Sequence, residues 1–308
     1  MRKTINNKWL LIIFGVLLLL VVLLFTKPGG HKERSFDKQL LTFASNDISK
    51  IVIYPKNLNG ESVELFNEGE SWQVKSNGKA YKAGQGSVDA MLNSLSDLKA
   101  LSLAANNKDR WESYEVTDSL ATRVQFFNHK NKKLADVYIG KFKFAQPRSM
   151  STYVRLDGKK ETYRVDGFLG STFNRSLNDL RDKAITRDPV ANWTRLTFDY
   201  PSDSSFVLSK EANQWMLNGV LANQDEINSY INSVKNQNGI TLIDEASLSG
   251  TPLFRLTITR ENLDPVQVSV YENSEGKLIA SSENKGIAFS DQSVIDRFFV
   301  PKSKFEIR

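Results

Sequence analysis

Apolar positions fall into three patterns along this chain, and each pattern predicts a different element. The first is continuous. From Trp9 to Phe25 the residues are Trp, Leu, Ile, Val and Phe broken only by Gly15, with no charge inside. At 1.5 Å per residue the run covers about 26 Å, the short end for a hydrocarbon core, and Thr26 with snorkelling Lys8 and Lys27 supplies the rest. A cleaved signal peptide is the rival reading. Against it, Thr26-Lys27-Pro28-Gly29-Gly30 offers no pair of small residues after the apolar core and sets a base where cleavage needs neutrality. The chain has no cysteine, which removes a lipoprotein acylation site, and a buried core helix would keep a polar stripe. The run therefore predicts a retained membrane helix.

The second pattern has a period of two. Ile51 and Ile53 alternate with Val52 and Tyr54, and Ser62 to Phe66 and Trp72 to Val74 follow, separated by Asn57-Leu58-Asn59-Gly60 and Asn67-Glu68-Gly69-Glu70. These read as a strand meander with turn chemistry between the strands. The third pattern is helical: Val88, Met91, Leu92, Leu95 and Leu98 predict a helix from about Ser87 to Leu101, with Ser87 capping its first turn. Strands return at Thr122 to Phe127, Leu134 to Ile139, Tyr153 to Leu156 and Thr162 to Val165, with turns at Asn128 to Asn131 and Asp157 to Lys160. Phe168, Leu169, Phe173, Leu177 and Leu180 then predict one or two short helices, and Phe36, Leu40, Leu41 and Phe43 a short amphipathic turn before the first strand.

From Trp193 the order runs again. Leu196, Phe198 and Tyr200 before Pro201 repeat Ile51, Ile53 and Tyr54 before Pro55, and Trp215 follows Trp72 at an offset of 143. Ile227, Tyr230, Ile231 and Val234 reproduce Val88, Met91, Leu92 and Leu95 at 139, led by an Asn223/Glu226 capping box. Phe254-Arg255-Leu256 answers Thr122-Arg123-Val124 at 132, Val266 to Tyr271 answers Leu134 to Ile139, and Val294, Ile295, Phe298 and Phe299 stand in for the run at Phe173 to Leu180. Order, turn spacing and the tryptophan favour duplication over a coincidence of two α+β meanders. The expected organisation is a tail and membrane helix over 1–26, a Pro-Gly-Gly tether over 27–35, a first lobe over 36–188 and a second over 189–308. The expected fold class is α+β: one N-terminal transmembrane helix, then two related lobes of antiparallel meander strands, each carrying a helix.

Charge first suggests nucleic acid and then withdraws the suggestion. Of 41 basic and 35 acidic residues, Arg2, Lys3, Lys8, Lys27, Lys32, Arg34 and Glu33 lie in the flanks of the apolar run. They carry the formal excess down from +6 to +1 for the chain from Ser35 onward. The basic excess thus meets anionic headgroups, and the lobes have no net field for a phosphate backbone. Bases flank the apolar run evenly, so the positive-inside count does not orient it. A short tail left in the cytoplasm and a large exported part is the simpler arrangement, which makes the expected place a single pass in the inner membrane.

Candidate chemistry is sparse. His129 sits in a turn and His31 in the tether, and with no cysteine a Cys/His site, a zinc site and a Ser-His-Asp triad have no residues to be built from. No cofactor or metal is expected. Asp109, Glu112, Glu115 and Asp118 cluster around Trp111 and Tyr114, as in a sugar-binding or glycosidase cleft or as in a charged connector. Gly84-Gln85-Gly86-Ser87 offers amides to an anion or merely opens the helix. Between two strands, Gly140 to Met150 carries Lys141, Phe142, Lys143, Phe144 and Arg148, a mix that suits an acidic partner or a lipid headgroup region. The other reading of this stretch is a strand extension with Phe142 and Phe144 on a core face. Because Tyr271 to Lys277 closes the corresponding pair with a short turn, the extra residues of the first lobe are not needed for closure.

Trp72-Gln73-Val74, Arg123-Val124-Gln125-Phe126, Val137-Tyr138-Ile139-Gly140, Tyr153-Val154-Arg155, Thr162-Tyr163-Arg164-Val165 and Leu180-Arg181-Asp182-Lys183 resemble the bacterial membrane-anchored family catalogued as domain of unknown function 4340. The resemblance covers most of Ile51 to Ile185 and implies an envelope accessory role, because members are often encoded beside ABC-type permeases and gliding- or export-associated proteins. It transfers no activity. One position departs from the family: Glu115 replaces a usual glycine, which puts the local turn before Leu120 in question. Two functions follow as expectations. The first is a non-enzymatic, membrane-anchored extracytoplasmic accessory or scaffold subunit of an envelope ABC-type transport, export or motility complex, with the bilayer and other envelope proteins as partners and no nucleic acid. The second is an envelope glycan hydrolase or glycan-binding protein using the carboxylates.

Overall fold

The computed structural model describes residues 9, 12–19, 36 and 38–307, apart from 57–60, 70, 77, 147–148, 189–192, 245–247, 249 and 274–275. Strands β1 (Ile48–Tyr54), β2 (Val63–Asn67), β3 (Trp72–Ser76), β4 (Lys79–Lys82), β5 (Ala100–Ala105), β6 (Thr122–Asn128), β7 (Lys133–Ala145), β8 (Ser149–Leu156) and β9 (Thr162–Asp166) make a nine-stranded sheet. Its order is β4-β3-β2-β1-β6-β7-β8-β9-β5. A second nine-stranded sheet holds β10 (Trp193–Asp199), β11 (Phe206–Glu211), β12 (Gln214–Leu217), β13 (Val220–Leu221), β14 (Leu242–Asp244), β15 (Phe254–Arg260), β16 (Leu263–Asn273), β17 (Gly276–Ser281) and β18 (Ile287–Phe289), in the order β13-β12-β11-β10-β15-β16-β17-β18-β14. Each strand of the second sheet takes the place of the strand nine earlier in the first. The fold is α+β with two antiparallel sheets and few helices.

Register carries the repeat to single residues. In the first sheet Val124 faces Ile53 on one side and Val137 on the other, and in the second Leu256 faces Phe198 and Val268. The sequence offsets equate Ile53 with Phe198 and Val124 with Leu256, while Val268 lies one residue before the position that the offset of 132 assigns to Val137. Alternation supplies the cause: Val124 and Phe126, like Leu256 and Ile258, are buried at every second position, and a slip of one residue would turn them all outward.

By contacts the chain divides into two compact units, residues 1–61 with 91–174 and residues 62–90 with 175–308. Helices are α1 (12–19), α2 (Gln85–Ser96), α3 (Leu169–Phe173), α4 (Leu177–Leu180), α5 (Gln224–Val234) and α6 (Gln292–Phe298). Among the described residues no helix is long and apolar enough to cross a membrane. Helix α1 exposes its apolar side chains, while the rest of the apolar run, the tether, the Asn57 to Gly60 turn and Pro189 at the expected lobe boundary lie outside the described residues.

Helix α2 buries Val88, Met91, Leu92 and Leu95 as its period requires, yet it ends at Ser96 rather than Leu101. The carbonyl of Leu98 accepts from the N–H groups of Leu40 and Leu41, and Ala100 donates to Lys38, so pairing with the preceding segment replaces the last helical turn and the chain enters β5. Ser87 lies inside α2 and is not its cap. Helix α5 keeps half of its expected capping box: Asn223 Oδ1 accepts from the Glu226 N–H at 3.2 Å, while the Asn223 N–H donates to the Phe305 carbonyl at 2.9 Å. Strands β4, β5, β13, β14 and β18 escape the sequence pattern because they are short or lie toward the sheet edges, where alternation is weakly enforced.

Residues 181–188 form the most heavily bonded stretch outside the sheets. Ala83 and Arg181 form an antiparallel bridge, and Ala184 another with Asn238. Side chains add to these. The Arg181 guanidinium stacks 3.7 Å over Tyr81 and reaches Asp244 at 2.7 Å. Asp182 pairs with Arg187 at 2.7 Å and Lys82 at 3.2 Å, and Asp188 pairs with Arg260 at 2.5 Å. Further along, the C-terminal turn Lys302–Phe305 lays Phe305 into a ring cluster with Phe198, Phe206 and Tyr230, centroids 5.3 to 6.2 Å away. The buried Tyr230 hydroxyl donates to the Phe298 carbonyl at 2.8 Å. Phe305→Ala is expected to cost about 3–5 kcal/mol, the range for emptying a buried aromatic site. Chemical denaturation checks this, and an unchanged midpoint would mean that the C-terminal turn is dispensable to the core.

Candidate functional site

The connector from β5 to β6 is built of tight turns. Lys108–Arg110 and Glu112–Tyr114 are single 3-10 turns, closed by Trp111 N–H to Lys108 carbonyl at 3.0 Å and Glu115 N–H to Glu112 carbonyl at 3.0 Å. Glu115 adopts the left-handed conformation, φ 56° and ψ 35°. That backbone favours glycine. The turn forms with Glu115 nevertheless, and its carboxylate reaches Lys56 at 3.3 Å.

Gly140 is the complementary requirement. A Cβ there would stand 2.2 Å from the Tyr114 carbonyl oxygen and 2.8 Å from Val116 Cγ1, so only glycine lets the connector lie against β7. The register shifts between Ile139 and Phe142, a bulge at the same point. Residues of two of the stretches that carry the family resemblance thus meet at one place: Tyr138 and Gly140 from one, and from the other Arg155 and Tyr153, whose ring is tilted against that of Tyr114 at 4.5 Å.

Two cavities open on this connector. The larger, about 520 Å³, is lined by Trp111, Asp118, Tyr138, Arg155, Asp157 and lysines at its rim. Arg155 is 3% exposed. Its guanidinium lies 3.9 Å from the Trp111 ring centre and 3.7 Å from that of Tyr138, and its Nε donates to the Val116 carbonyl at 2.9 Å. Burial, and then the neighbouring Asp118 carboxylate, push the Tyr138 phenol up to about 12. The smaller cavity, about 330 Å³, is lined by Lys56, Glu115, Gly140, Lys141, Phe142 and Phe168, among others.

The four carboxylates do not share a site. Asp118 lines the larger cavity and Glu115 the smaller, whereas Asp109 and Glu112 are exposed on the 3-10 turns and line neither. His129 is exposed in the β6–β7 turn. At Gly84 the amide donates to the Leu180 carbonyl and the carbonyl receives Ser87 and Val88, so this stretch is an ordinary helix start. Among the described residues no group of three His, Cys, Asp or Glu is placed to hold a metal ion.

Lys141 to Ala145 and Ser149 to Met150 are strand rather than loop. Period two continues through Lys141-Phe142-Lys143-Phe144, and Phe142, Lys143, Phe144 and Ala145 pair with Thr152, Ser151, Met150 and Ser149. β6 stops pairing at Ile139 and β9 at Ser151, so a two-stranded arm projects beyond its neighbours. The core-face alternative fails as well, since Phe142 and Phe144 are 53% and 58% exposed. Phe142 leans on Phe168 at 4.7 Å, Lys141 Nζ stands 5.6 Å from the Tyr114 ring, and Met150, also exposed, faces Phe144 across the arm. Arg148 lies outside the described residues.

The family described as domain of unknown function (DUF4340) matches residues 72–249, more than half of the chain. No curated protein and no solved structure matches. Gly140→Ala is expected to destabilise by about 1–3 kcal/mol, the cost of overpacking, because the obstacle is backbone rather than a flexible side chain. Thermal unfolding measures it, and a melting temperature equal to wild type would contradict the close approach.

Proposed function

Since the chain belongs to the DUF4340 family, whose description carries no activity, we propose that it works by contact rather than by chemistry. In this reading it is a single-pass inner-membrane protein whose extracytoplasmic part is an accessory or scaffold subunit of an envelope ABC-type transport, export or motility complex. The uncharged apolar run Trp9 to Phe25 supports the anchor. One observation carries the contact role: Phe142 and Phe144 are held more than half exposed on paired strands. Strand pairing fixes their orientation before any encounter, so little ordering cost falls on binding. With Met150 and Phe168 beside them they form an apolar patch of the kind that marks interaction sites, and Lys141 and Lys143 add positive charge at its side.

Substituting Phe142→Ser and Phe144→Ser together tests the reading. Exposed positions tolerate such changes within about 0.5 kcal/mol each, so the melting temperature is expected to stay within a few degrees. Recovery of envelope transport or export subunits with the tagged full-length protein, from mild-detergent extracts read by mass spectrometry, is expected to fall sharply. Undiminished recovery would place the interface elsewhere, and Asp118→Ala is expected to leave recovery unchanged.

A further inference from the structure

The larger cavity beside the connector holds a buried guanidinium that forms no ion pair among the described residues. Arg155 is almost wholly buried, and a buried charge is costly unless it is paired and hydrogen-bonded. Its contacts among the described residues are the Val116 carbonyl, the two ring faces and the Tyr138 hydroxyl. Three carboxylates, Asp118, Asp157 and Glu161, line the same cavity, and none of them forms an ion pair with Arg155 among the described residues. Asp118 is turned to the Tyr138 hydroxyl. Asp136 takes Arg123 in a two-point pair at 2.8 Å, and Asp157 lies 3.7 Å from Arg123 and 3.8 Å from Lys133.

Stacking also decides which part of Arg155 a ligand reaches. Trp111 and Tyr138 cover both faces of the guanidinium, and Nε is spent on Val116, which leaves the in-plane edge of the two terminal amino groups with the Tyr138 hydroxyl as its one partner among the described residues. That edge matches the two oxygens of a carboxylate or phosphate, and clamping the plane in advance removes the ordering cost of forming a fork. Lys108, Lys159 and Lys160 stand at the rim, and about 520 Å³ is room for a ligand of one or two sugar rings.

We propose that this cleft binds a small polar ligand through an oxyanion, a carboxylate or a phosphate monoester, seated on the outer edge of Arg155 with Lys159 and Lys160 closing over it. The proposal does not rest on the arm or on any partner. Full-length protein labelled with 5-fluorotryptophan gives a direct probe, since the chain has five tryptophans and Trp111→Phe assigns the local fluorine signal. Glucuronate, glucose 6-phosphate, neutral glucose and chloride are titrated at constant ionic strength. A saturable shift of the Trp111 signal is expected with glucuronate or glucose 6-phosphate, and whichever acts at lower concentration identifies the oxyanion. Glucose and chloride are expected to be silent. Arg155→Lys, which keeps the charge but loses the fork, is expected to abolish saturation. The rim pair Lys159→Ala and Lys160→Ala, exposed and free of folding consequences, is expected to weaken it by at least about threefold. A Trp111 signal unmoved by both anions, moved equally by glucose, or saturating unchanged in the rim variant would overturn the proposal.

Discussion

Asp182 is 3% exposed, and around its carboxylate are gathered Lys82, Arg187 and the Ala184 N–H. Burial pushes its pKa up, but the hydrogen bonds from Arg187 and Ala184 and the charges of Arg187 and Lys82 outweigh that and hold it below the usual carboxylate range. The backbone on either side is then committed. Asp182 N–H donates to Lys82, its carbonyl accepts from Asn284 Nδ2, Ile185 N–H donates to Gln237, and Ser281 Oγ donates to the Ile185 carbonyl. A chain segment with this many buried polar groups is stable only if nearly all are satisfied together. Asp182 is the member whose removal leaves two cations and an amide without their acceptor.

The same logic gives structural roles to residues in the stretches that carry the family resemblance. Arg181 and Asp182 fasten a segment, Gly140 makes room for a carbonyl, and Tyr153 packs its ring tilted against Tyr114. Chemistry-bearing residue types appear in these roles because they make directional bonds inside a sheet-rich fold. What remains for function is what the scaffold holds outward: an arm with Phe142 and Phe144 at its surface, and a cleft with one clamped guanidinium.

Much of this was legible in the sequence. Period-two burial at Val124, Phe126, Leu256 and Ile258 survives intact because a register slip would expose the entire face. Helical burial at Val88, Met91, Leu92 and Leu95 and at Ile227, Tyr230, Ile231 and Val234 survives for the same reason. Helix length did not survive, since nothing in Leu98 or Leu101 announces that Leu40 and Leu41 will capture the Leu98 carbonyl. For the arm the sequence left a binding loop and a strand extension open; the strand forms, as strict alternation allows, but Phe142 and Phe144 face outward rather than onto a core. The cleft went unseen because Trp111, Tyr138 and Arg155 come from a connector and two strands, and only the register brings them together. A guanidinium within the apolar alternation of β8 was the one signal available.

If the segment from Arg181 to Asp188 depends on ionised Asp182, stability must show it as a function of pH. A carboxyl whose folded pKa lies below its unfolded value near 3.9 contributes stability that is complete above that value and is lost as pH falls through the folded one. Unfolding free energy is therefore to be measured by denaturant titration for wild type and Asp182→Asn between about pH 7 and pH 2. The expected result is a deficit for the variant of about 1.5–3 kcal/mol at neutral pH, the worth of hydrogen bonds to a charged group, which shrinks as the wild type loses its ionised carboxylate below about pH 4. No deficit at neutral pH, or one that stays constant down to the lowest pH, would contradict the role given to Asp182.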